Sequence, residues 1–176
     1  MKLNVVLFQP EIPQNTGNIM RTCVGVDAKL HLIKPLGFQL DEKHLRRSAV
    51  DYYEYINYEV YEDYEDFLAK NPNAKIFYST RYGHKPLSSF DFANIEGEIF
   101  LMFGKESAGI PYDILANNID NCYRLPTNDK VRSLNLSNCV AVSLFEVLRQ
   151  LDYEGLLFEE PESMKGANFL DQFKKD

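Results

Sequence analysis

Two apolar segments in the second half of the chain each run directly into a loop rich in glycine, serine, asparagine and charged residues. Ile99–Phe103 is followed by Gly104-Lys-Glu-Ser-Ala-Gly-Ile-Pro111, and Cys122–Leu125 is followed by Pro126-Thr-Asn-Asp-Lys-Val-Arg-Ser-Leu-Asn135. Such runs are typical of parallel strands, whose carboxyl ends meet at one sheet edge where loop amides and helix N-termini can contact a ligand. We therefore expect an α/β fold with its functional site at that edge.

The remainder of the chain repeats this alternation of strand and helix. Apolar runs bounded by turn residues predict further strands at Leu3–Phe8, Leu30–Ile33, Ile56–Val60 and Ile76–Tyr78. Apolar periodicity and helix boundary signals predict helices at Thr16–Val26, Asp41–Arg47, Asp63–Lys70, Tyr112–Asn118 and Asn135–Leu151. This order favours a mainly parallel sheet with helices on both faces. We expect one domain over residues 1–153 and a carboxyl-terminal tail over residues 154–176 with one short helix.

The chain has a net charge of −7, but its acidic residues are unevenly distributed. Asp51–Asp66 contains seven acids and Asp152–Glu162 contains five, with no Lys or Arg in either, so the rest of the chain carries 19 basic and 14 acidic residues. A local basic surface on an acidic protein is one interpretation, and scattered solubilising charge is the other. The residues available for a basic surface are Lys43, Arg46, Arg47, Arg81, Lys85, Lys105, Lys130 and Arg132.

The cysteines and histidines argue against two common kinds of site. Cys23, Cys122 and Cys139 form no Cys-x-x-Cys pair and lie among apolar residues, which favours buried thiols over disulfides. The three histidines show no ligand spacing, so we expect no metal site. No apolar run approaches the roughly 18 residues of a membrane span, and we expect a cytoplasmic protein without a membrane segment.

The glycine-containing loops lack the familiar nucleotide-binding fingerprints. A P-loop needs a glycine five residues before its Gly-Lys pair and Ser or Thr after the lysine, whereas this chain has Ile99 and Glu106 at those positions. Its nine glycines contain no Gly-x-Gly-x-x-Gly motif. The sequence therefore disfavours an ATP or GTP hydrolase and a Rossmann dinucleotide site.

Two polar segments beside predicted helix starts have both a structural and a functional interpretation. Asn15-Thr-Gly-Asn-Ile-Met-Arg21 supplies a helix cap at Asn15 or Thr16, and it also places Arg21 about one and a half turns from the helix start, near enough to reach a phosphate or ribose. Ser133-Leu-Asn-Leu-Ser-Asn138 has four polar side chains in six residues, which is more than one cap requires and favours a ligand surface. A serine nucleophile is disfavoured, because no Gly-x-Ser-x-Gly elbow is present.

Taken together, three segments resemble the signature motifs of the SPOUT superfamily of RNA methyltransferases. They are Pro13-Gln-Asn-Thr-Gly-Asn-Ile-Met-Arg21, Leu101-Met-Phe-Gly-Lys-Glu-Ser-Ala-Gly-Ile-Pro111, and Leu125-Pro126 followed by Arg132-Ser-Leu-Asn-Leu-Ser-Asn-Cys-Val-Ala-Val140. Their order and spacing are especially similar to the TrmL (YibK-like) tRNA 2′-O-methyltransferases, which act on the wobble nucleotide. Three motifs in order are far more specific than any one alone.

The resemblance implies a SPOUT-type fold with a carboxyl-terminal trefoil knot, a homodimer, and transfer of a methyl group from S-adenosyl-L-methionine to the ribose 2′-hydroxyl of cytidine or uridine in tRNA. By position it implies a cofactor pocket lined by Ser79, Gly104, Leu125, Ser133 and Leu134. The implied catalytic residues are Asn15, Arg21, Glu106, Ser133 and Asn135. The implied RNA contacts are Arg21, Lys43, Arg46, Arg47, Lys105 and Arg132.

For the residues at the reacting centre we expect positioning and charge rather than proton abstraction. A guanidinium is a poor proton acceptor, so Arg21 would clamp a phosphate and stabilise alkoxide charge, while Glu106 would orient loop donors or Arg21. One departure from many relatives is Phe145-Glu146, where they carry Tyr-Glu. The alternatives are a SPOUT methyltransferase acting on another RNA or nucleotide, and a noncatalytic RNA-binding module.

Overall fold

The computed structural model describes residues 3–40 and 52–174, and within them the chain forms one six-stranded sheet in which every pairing is parallel. The strand order is β3-β2-β1-β5-β4-β6. The strands are β1 (Leu3–Phe8), β2 (Lys29–Ile33), β3 (Tyr58–Tyr61), β4 (Lys75–Ser79), β5 (Ile99–Phe103) and β6 (Cys122–Tyr123). The α-helices are α1 (Pro13–Gly25), α2 (Tyr64–Lys70), α3 (Tyr112–Asn117) and α4 (Leu136–Gln150). Short 3₁₀ helices lie at Tyr53–Tyr55, Leu87–Ser89, Phe92–Asn94, Ile119–Asn121 and Phe169–Phe173.

The central strands are buried on both faces, which explains why they are continuous apolar runs rather than alternating ones. In β1 all six residues are buried, and successive side chains enter two different cores. Val5 and Leu7 pack with side chains of α1 and α4, whereas Val6 and Phe8 pack with Phe67 of α2 and Leu115 of α3. The predicted α/β fold with helices on both faces of a parallel sheet is therefore confirmed.

The predicted start of α1 is wrong. The helix begins at Pro13, which suits the first helical position because its fixed φ is already helical, and Ile12 is the N-cap residue without a capping side chain. Asn15 and Thr16, predicted as caps, are instead buried inside the first turn. This first turn takes its capping contacts from another loop, described below.

Other predicted boundaries differ by a few residues. The strand predicted at Cys122–Leu125 ends at Tyr123, and the strand predicted at Ile56–Val60 is displaced to Tyr58–Tyr61. Asp63 caps α2 through its side chain, which accepts a hydrogen bond of 2.8 Å from the Asp66 amide. The short helix predicted in the tail is the 3₁₀ helix at Phe169–Phe173. The charged helix predicted at residues 41–47 lies outside the described residues.

The segment after β4 lies directly against the segment that contains β6. The Thr80 amide donates to the Tyr123 carbonyl at 2.9 Å, and the Arg124 amide donates to the Lys85 carbonyl at 3.0 Å. Gly83 is so close that an added Cβ would lie 2.4 Å from the Tyr123 carbonyl carbon. The chain then continues into α4, which packs against α1, so the loops after β4, β5 and β6 meet at the carboxyl edge of the sheet. None of the helices in the described residues is long and apolar enough to cross a membrane.

Candidate functional site

A cavity of about 510 Å³ lies at the carboxyl ends of β4, β5 and β6, next to the first turns of α1 and α4. This volume falls in the usual range for small-molecule sites. All five residues that the resemblance implied for the cofactor line it, namely Ser79, Gly104, Leu125, Ser133 and Leu134. The sheet edge predicted to hold the functional site therefore contains a cavity bordered by the predicted residues.

Four of the five predicted catalytic residues line the same cavity. Asn15 comes from α1, Glu106 from the loop after β5, and Ser133 and Asn135 from the segment before α4. These positions are up to 120 residues apart in sequence, and only the parallel topology brings them together. Arg21 is the exception, because it does not line the cavity of its own chain.

Glu106 holds the start of α1 against the loop after β5. Its carboxylate accepts hydrogen bonds from the Glu11 amide at 2.8 Å, from the Asn15 side-chain amide at 2.9 Å and from the Ile12 amide at 3.3 Å. A carboxylate at a helix N-terminus is favoured both by the free amides and by the helix dipole. The predicted role of Glu106 in orienting loop donors agrees with these contacts, and they account for the missing side-chain cap of α1.

Asn15 and Asn135 extend this contact to the last helix. The Asn135 side-chain amide donates to the Asn15 side-chain oxygen at 3.0 Å. The Asn135 oxygen in turn accepts from the Ser137 amide at 2.9 Å and from the Ser137 hydroxyl at 2.7 Å, so Asn135 is the N-cap of α4. Glu106, Asn15 and Asn135 thus form one hydrogen-bonded chain that ties three elements together at the cavity.

Glu11 is a part of the site that the sequence reasoning missed. Its carboxylate accepts hydrogen bonds from the Ser107 amide at 2.9 Å and the Ser107 hydroxyl at 2.8 Å. These bonds, with a smaller contribution from the charge of Lys105, lower the pKa of Glu11 below its usual value. Glu11 binds the loop that carries Glu106 while Glu106 binds the Glu11 amide, so the two loops are joined reciprocally. The feature of the sequence that could have pointed to Glu11 is its position two residues before Pro13.

The loop after β5 turns back on itself at its two glycines. Lys105 and Gly109 exchange backbone hydrogen bonds of 3.2 and 2.9 Å, and Gly109 has a φ of +75°, which favours glycine. An added Cβ on Gly104 would lie 2.1 Å from the Gly109 carbonyl carbon, so this position admits no larger residue without displacing the loop. Gly104 and Gly109 both line the cavity, so main-chain atoms form part of its wall.

Arg21 lies farther from the sheet edge than predicted. Because α1 begins at Pro13, Arg21 is about 12 Å along the helix from its first residue. The side chain is exposed, and its guanidinium carbon lies 5.6 Å from the centre of the Tyr52 ring. The prediction that Arg21 reaches a ligand at the edge of its own sheet is therefore not met within one chain.

The cavity wall is basic although the chain as a whole is acidic. Arg81, Lys105, Arg124 and Arg132 line it, and Glu106 supplies the one carboxylate that the described residues contribute. Lys105 and Arg132 were predicted RNA contacts, and Arg124 was not named by the sequence reasoning. Of the other basic residues considered, Lys85 lies over the Phe90 ring at 4.3 Å. The predicted RNA contacts Lys43, Arg46 and Arg47 lie outside the described residues.

All three cysteines are free thiols, and two of them are buried as predicted. Cys23 and Cys122 are buried, and desolvation raises the pKa of Cys23 to about 12. Cys139 is half-buried and lines the cavity, and burial raises its pKa as well. A thiol with a raised pKa remains protonated at neutral pH, so Cys139 serves as an apolar wall rather than a nucleophile.

Comparison with known proteins gives consistent matches. Residues 2–145 match the SpoU rRNA Methylase family. A Yersinia pestis tRNA (cytidine(34)-2′-O)-methyltransferase is 42% identical over 164 residues, covering 90% of this chain and 99% of the relative. A Geobacillus stearothermophilus protein provisionally named for the same activity is 48% identical over 156 residues, covering 89% and 99%. A solved structure concerned with the 2-OH methylation of C/U34 on tRNA superposes with a TM-score of 0.78 at 36% identity, covering 87% of this chain and 98% of that one.

Proposed function

This chain belongs to the SpoU rRNA Methylase family, and from that membership we propose that it transfers a methyl group from S-adenosyl-L-methionine to the ribose 2′-hydroxyl of the wobble nucleotide, cytidine or uridine, of tRNA. The relatives that share more than 40% of its residues over nearly their whole length are named for tRNA, which is more specific than the family description. The observation that carries the proposal is the cavity itself. It collects eight of the nine residues that the resemblance implied for cofactor binding and catalysis.

The cavity has the chemistry that S-adenosyl-L-methionine requires. Apolar side chains, among them Ile110, Leu115 and Leu125, suit the adenine ring and the methylene groups. Ser133 and the main chain of Gly104 and Gly109, which line the cavity, suit its polar groups. When bound, this cofactor supplies an electrophilic methyl group on a sulfonium. The residues that would hold it are Ser79, Gly104, Leu125, Ser133 and Leu134.

The residues of this chain then act by positioning and by charge. The chain Glu106–Asn15–Asn135 holds the cavity walls in one arrangement, so that a ribose oxygen can approach the methyl carbon in line. Lys105 and Arg132 offer cations for the phosphates of the substrate strand. In the transfer, a bond between the ribose oxygen and the methyl carbon would replace the carbon–sulfur bond, and the hydroxyl proton would pass to a phosphate oxygen or to water. Arginine cannot take that proton, because its pKa exceeds ~12.

Arg21 would contribute the cation beside the ribose oxygen, and we place it in the site of a second copy of the chain. It lies on α1 outside its own cavity. The outer face of α4, which packs beside α1, exposes Val142 by 50% and Phe145 by 49%, and Ile12 before α1 is 42% exposed. Val142 and Phe145 lie three residues apart on α4 and so share one helix face, and exposed apolar side chains of this kind favour an interface. A homodimer through α1 and α4 would cover them.

Mixed dimers test this placement. R21A and N135A should each lose at least about 100-fold in activity when assayed alone. If Arg21 serves its partner's cavity, mixing the two variants restores one intact site in each mixed dimer and about a quarter of wild-type activity. If Arg21 serves its own cavity, the mixture stays inactive, and the proposed arrangement is refuted.

The finer features of the fold follow the same family membership. We propose that the segment from Leu125 to α4 is threaded through the loop after β4 as a trefoil knot, an arrangement supported by the backbone contacts of Thr80 and Arg124. We further propose that residues 1–153 form the methyltransferase domain and that residues 154–176 are a tail. We also propose that the protein acts in the cytoplasm, where tRNA is modified. Tyr153 and Leu156 still pack on the core, so a truncation should keep residues up to 156.

Two measurements test the activity. Isothermal titration with S-adenosyl-L-methionine should show one site per chain, and mass mapping of tRNA from cells lacking this protein should show loss of a single ribose methyl in the anticodon. Binding of tRNA without any binding of the cofactor would instead support a noncatalytic RNA-binding module. Loss of a methyl group from a different RNA would support the other alternative, a methyltransferase with a different substrate.

A further inference from the structure

Three exposed side chains form a cluster on one wall of the cavity. Arg81 and Tyr82 follow β4, and Tyr112 begins α3. The Arg81 guanidinium carbon lies 4.7 Å from the centre of the Tyr82 ring, and one of its nitrogens donates to the Tyr82 hydroxyl. The two tyrosine rings meet edge to face at 5.6 Å and 84°, with their hydroxyl oxygens 3.3 Å apart. The cluster is therefore held in one arrangement by its own contacts.

The position and exposure of these rings do not fit a role in the core. Tyr82 is 43% exposed and Tyr112 is 66% exposed, and neither belongs to the two hydrophobic cores of the described residues. Tyrosine at the border of a ligand cavity offers a flat apolar face together with a polar edge. An exposed aromatic pair that adjoins such a cavity is better explained by contact with a ligand.

The charges around the cluster indicate which class of ligand it binds. Hydrogen bonds with Tyr112 and Arg81 lower the pKa of Tyr82, and the charge of Arg132, in the segment before α4, adds to this effect. Arg81, Lys105, Arg124 and Arg132 all line the cavity, and the Glu106 carboxylate beside them is hydrogen-bonded to the start of α1. Cations beside exposed aromatic rings are the combination that binds single-stranded nucleic acid, with rings stacking on bases and cations contacting phosphates.

We propose that Tyr112, the more exposed of the two rings, stacks against an unpaired base of the substrate RNA, that Tyr82 holds the Tyr112 ring in place edge to face, and that Arg81 and Arg132 contact the adjoining phosphates. In this way the cluster positions the strand at the cavity. The assignment rests on the proposed tRNA methylation, since the wobble nucleotide lies in the anticodon loop, whose bases are unpaired. It adds Arg81, Tyr82 and Tyr112 to the site as positioning residues.

Steady-state kinetics on the full-length protein tests the positioning role. Y112A should raise the KM for tRNA about tenfold, as expected for the loss of one stacked base, while kcat at saturating tRNA and the Kd for S-adenosyl-L-methionine stay near wild type. Y112F keeps the ring and should keep the KM. The matched control is F158A, because Phe158 is an aromatic residue that is 80% exposed and does not line the cavity.

Two further readouts separate the proposal from its competitors. An anticodon stem-loop carrying 2-aminopurine should lose fluorescence on binding wild-type protein, and Y112A should reduce that quenching. R81A should lower the slope of log affinity against log salt by about 1, as expected for one lost phosphate contact. An unchanged KM in both Y82A and Y112A would overturn the proposal, and so would a weakened cofactor Kd with normal KM, which would assign the cluster to the cofactor. If the wild-type protein methylates no tRNA, the proposed function fails, and the stem-loop measurement decides the stacking proposal by itself.

Discussion

Replacing Glu106 with glutamine tests whether the contact between α1 and the loop after β5 holds the site together. The carboxylate accepts from two backbone amides and one side-chain amide, using both of its oxygens. A glutamine side chain has one oxygen and one NH₂ group, so at least one of these N–H groups would face another donor. The substitution keeps the size of the side chain and removes only its charge and half of its acceptor capacity.

The expected loss of stability follows from these contacts. One charge-assisted hydrogen bond contributes about 1.5–3 kcal/mol, and a carboxylate at a helix N-terminus contributes about 0.3–1 kcal/mol. We therefore expect E106Q to lower the free energy of unfolding by about 3 kcal/mol, and the Tm by about 6–12 °C for a chain of this size. Affinity for S-adenosyl-L-methionine should fall as well, because the Glu106–Asn15–Asn135 chain borders the cavity.

Urea unfolding at pH 7 measures the first effect and isothermal titration the second. The control is E98Q, because Glu98 is exposed and immediately precedes β5, at the opposite edge of the sheet from the site. Its substitution should change the free energy of unfolding by less than about 0.5 kcal/mol. Combining E106Q with N15A should reveal a coupling energy of about 1 kcal/mol or more. If E106Q unfolds like E98Q, the reasoning that this carboxylate joins α1 to the β5 loop is refuted.

Three further outcomes follow from the structure. Burial lowers the pKa of His31 to about 4, so the neutral ring is favoured in the folded state. The free energy of unfolding should therefore fall by about 3 kcal/mol as the pH drops from 6.5 to 4. Urea unfolding of H31N over that range should show a shallower fall, and an equal fall would contradict the assignment. G104A should abolish cofactor binding measured by titration, because its Cβ would meet Gly109, whereas G25A, with open space around it, should bind normally. F145E should shift the protein towards monomer in sedimentation analysis, and an unchanged dimer would place the interface elsewhere.

The secondary structure was largely predictable because its signals are local. The run Leu3–Phe8 is a strand with the predicted bounds, and the periodic apolar residues between Leu136 and Leu148 form one buried face of α4. Local signals predicted the wrong start for α1, because the groups that cap this helix come from a residue distant in the sequence. Asn15 and Thr16 have the chemistry of caps, but a carboxylate 91 residues away from Asn15 supplies the capping contacts and allows α1 to begin earlier.

The candidate site shows the same division. The polar loops and their order in the chain were sufficient to indicate the sheet edge, and the resemblance carried the roles of eight cavity residues onto their positions. Glu11 and the Tyr82–Tyr112 pair could not be found in this way, because their roles follow from contacts that the fold makes. Glu11 contacts a residue 96 positions away, and the two tyrosines are 30 positions apart. Arg21 illustrates the opposite case, since its motif is evident in sequence while its distance from the cavity depends on where α1 starts and packs.

Apolar spacing and turn residues in the linear chain were enough to specify which segments become strands and helices, since those preferences act between near neighbours. The identity of the groups that meet at the cavity, and the basic character of its wall on an acidic protein, arose only when parallel strands brought three distant loops to one edge. Hydrogen bonds and charges act through short distances in space, and the folded chain alone sets those distances.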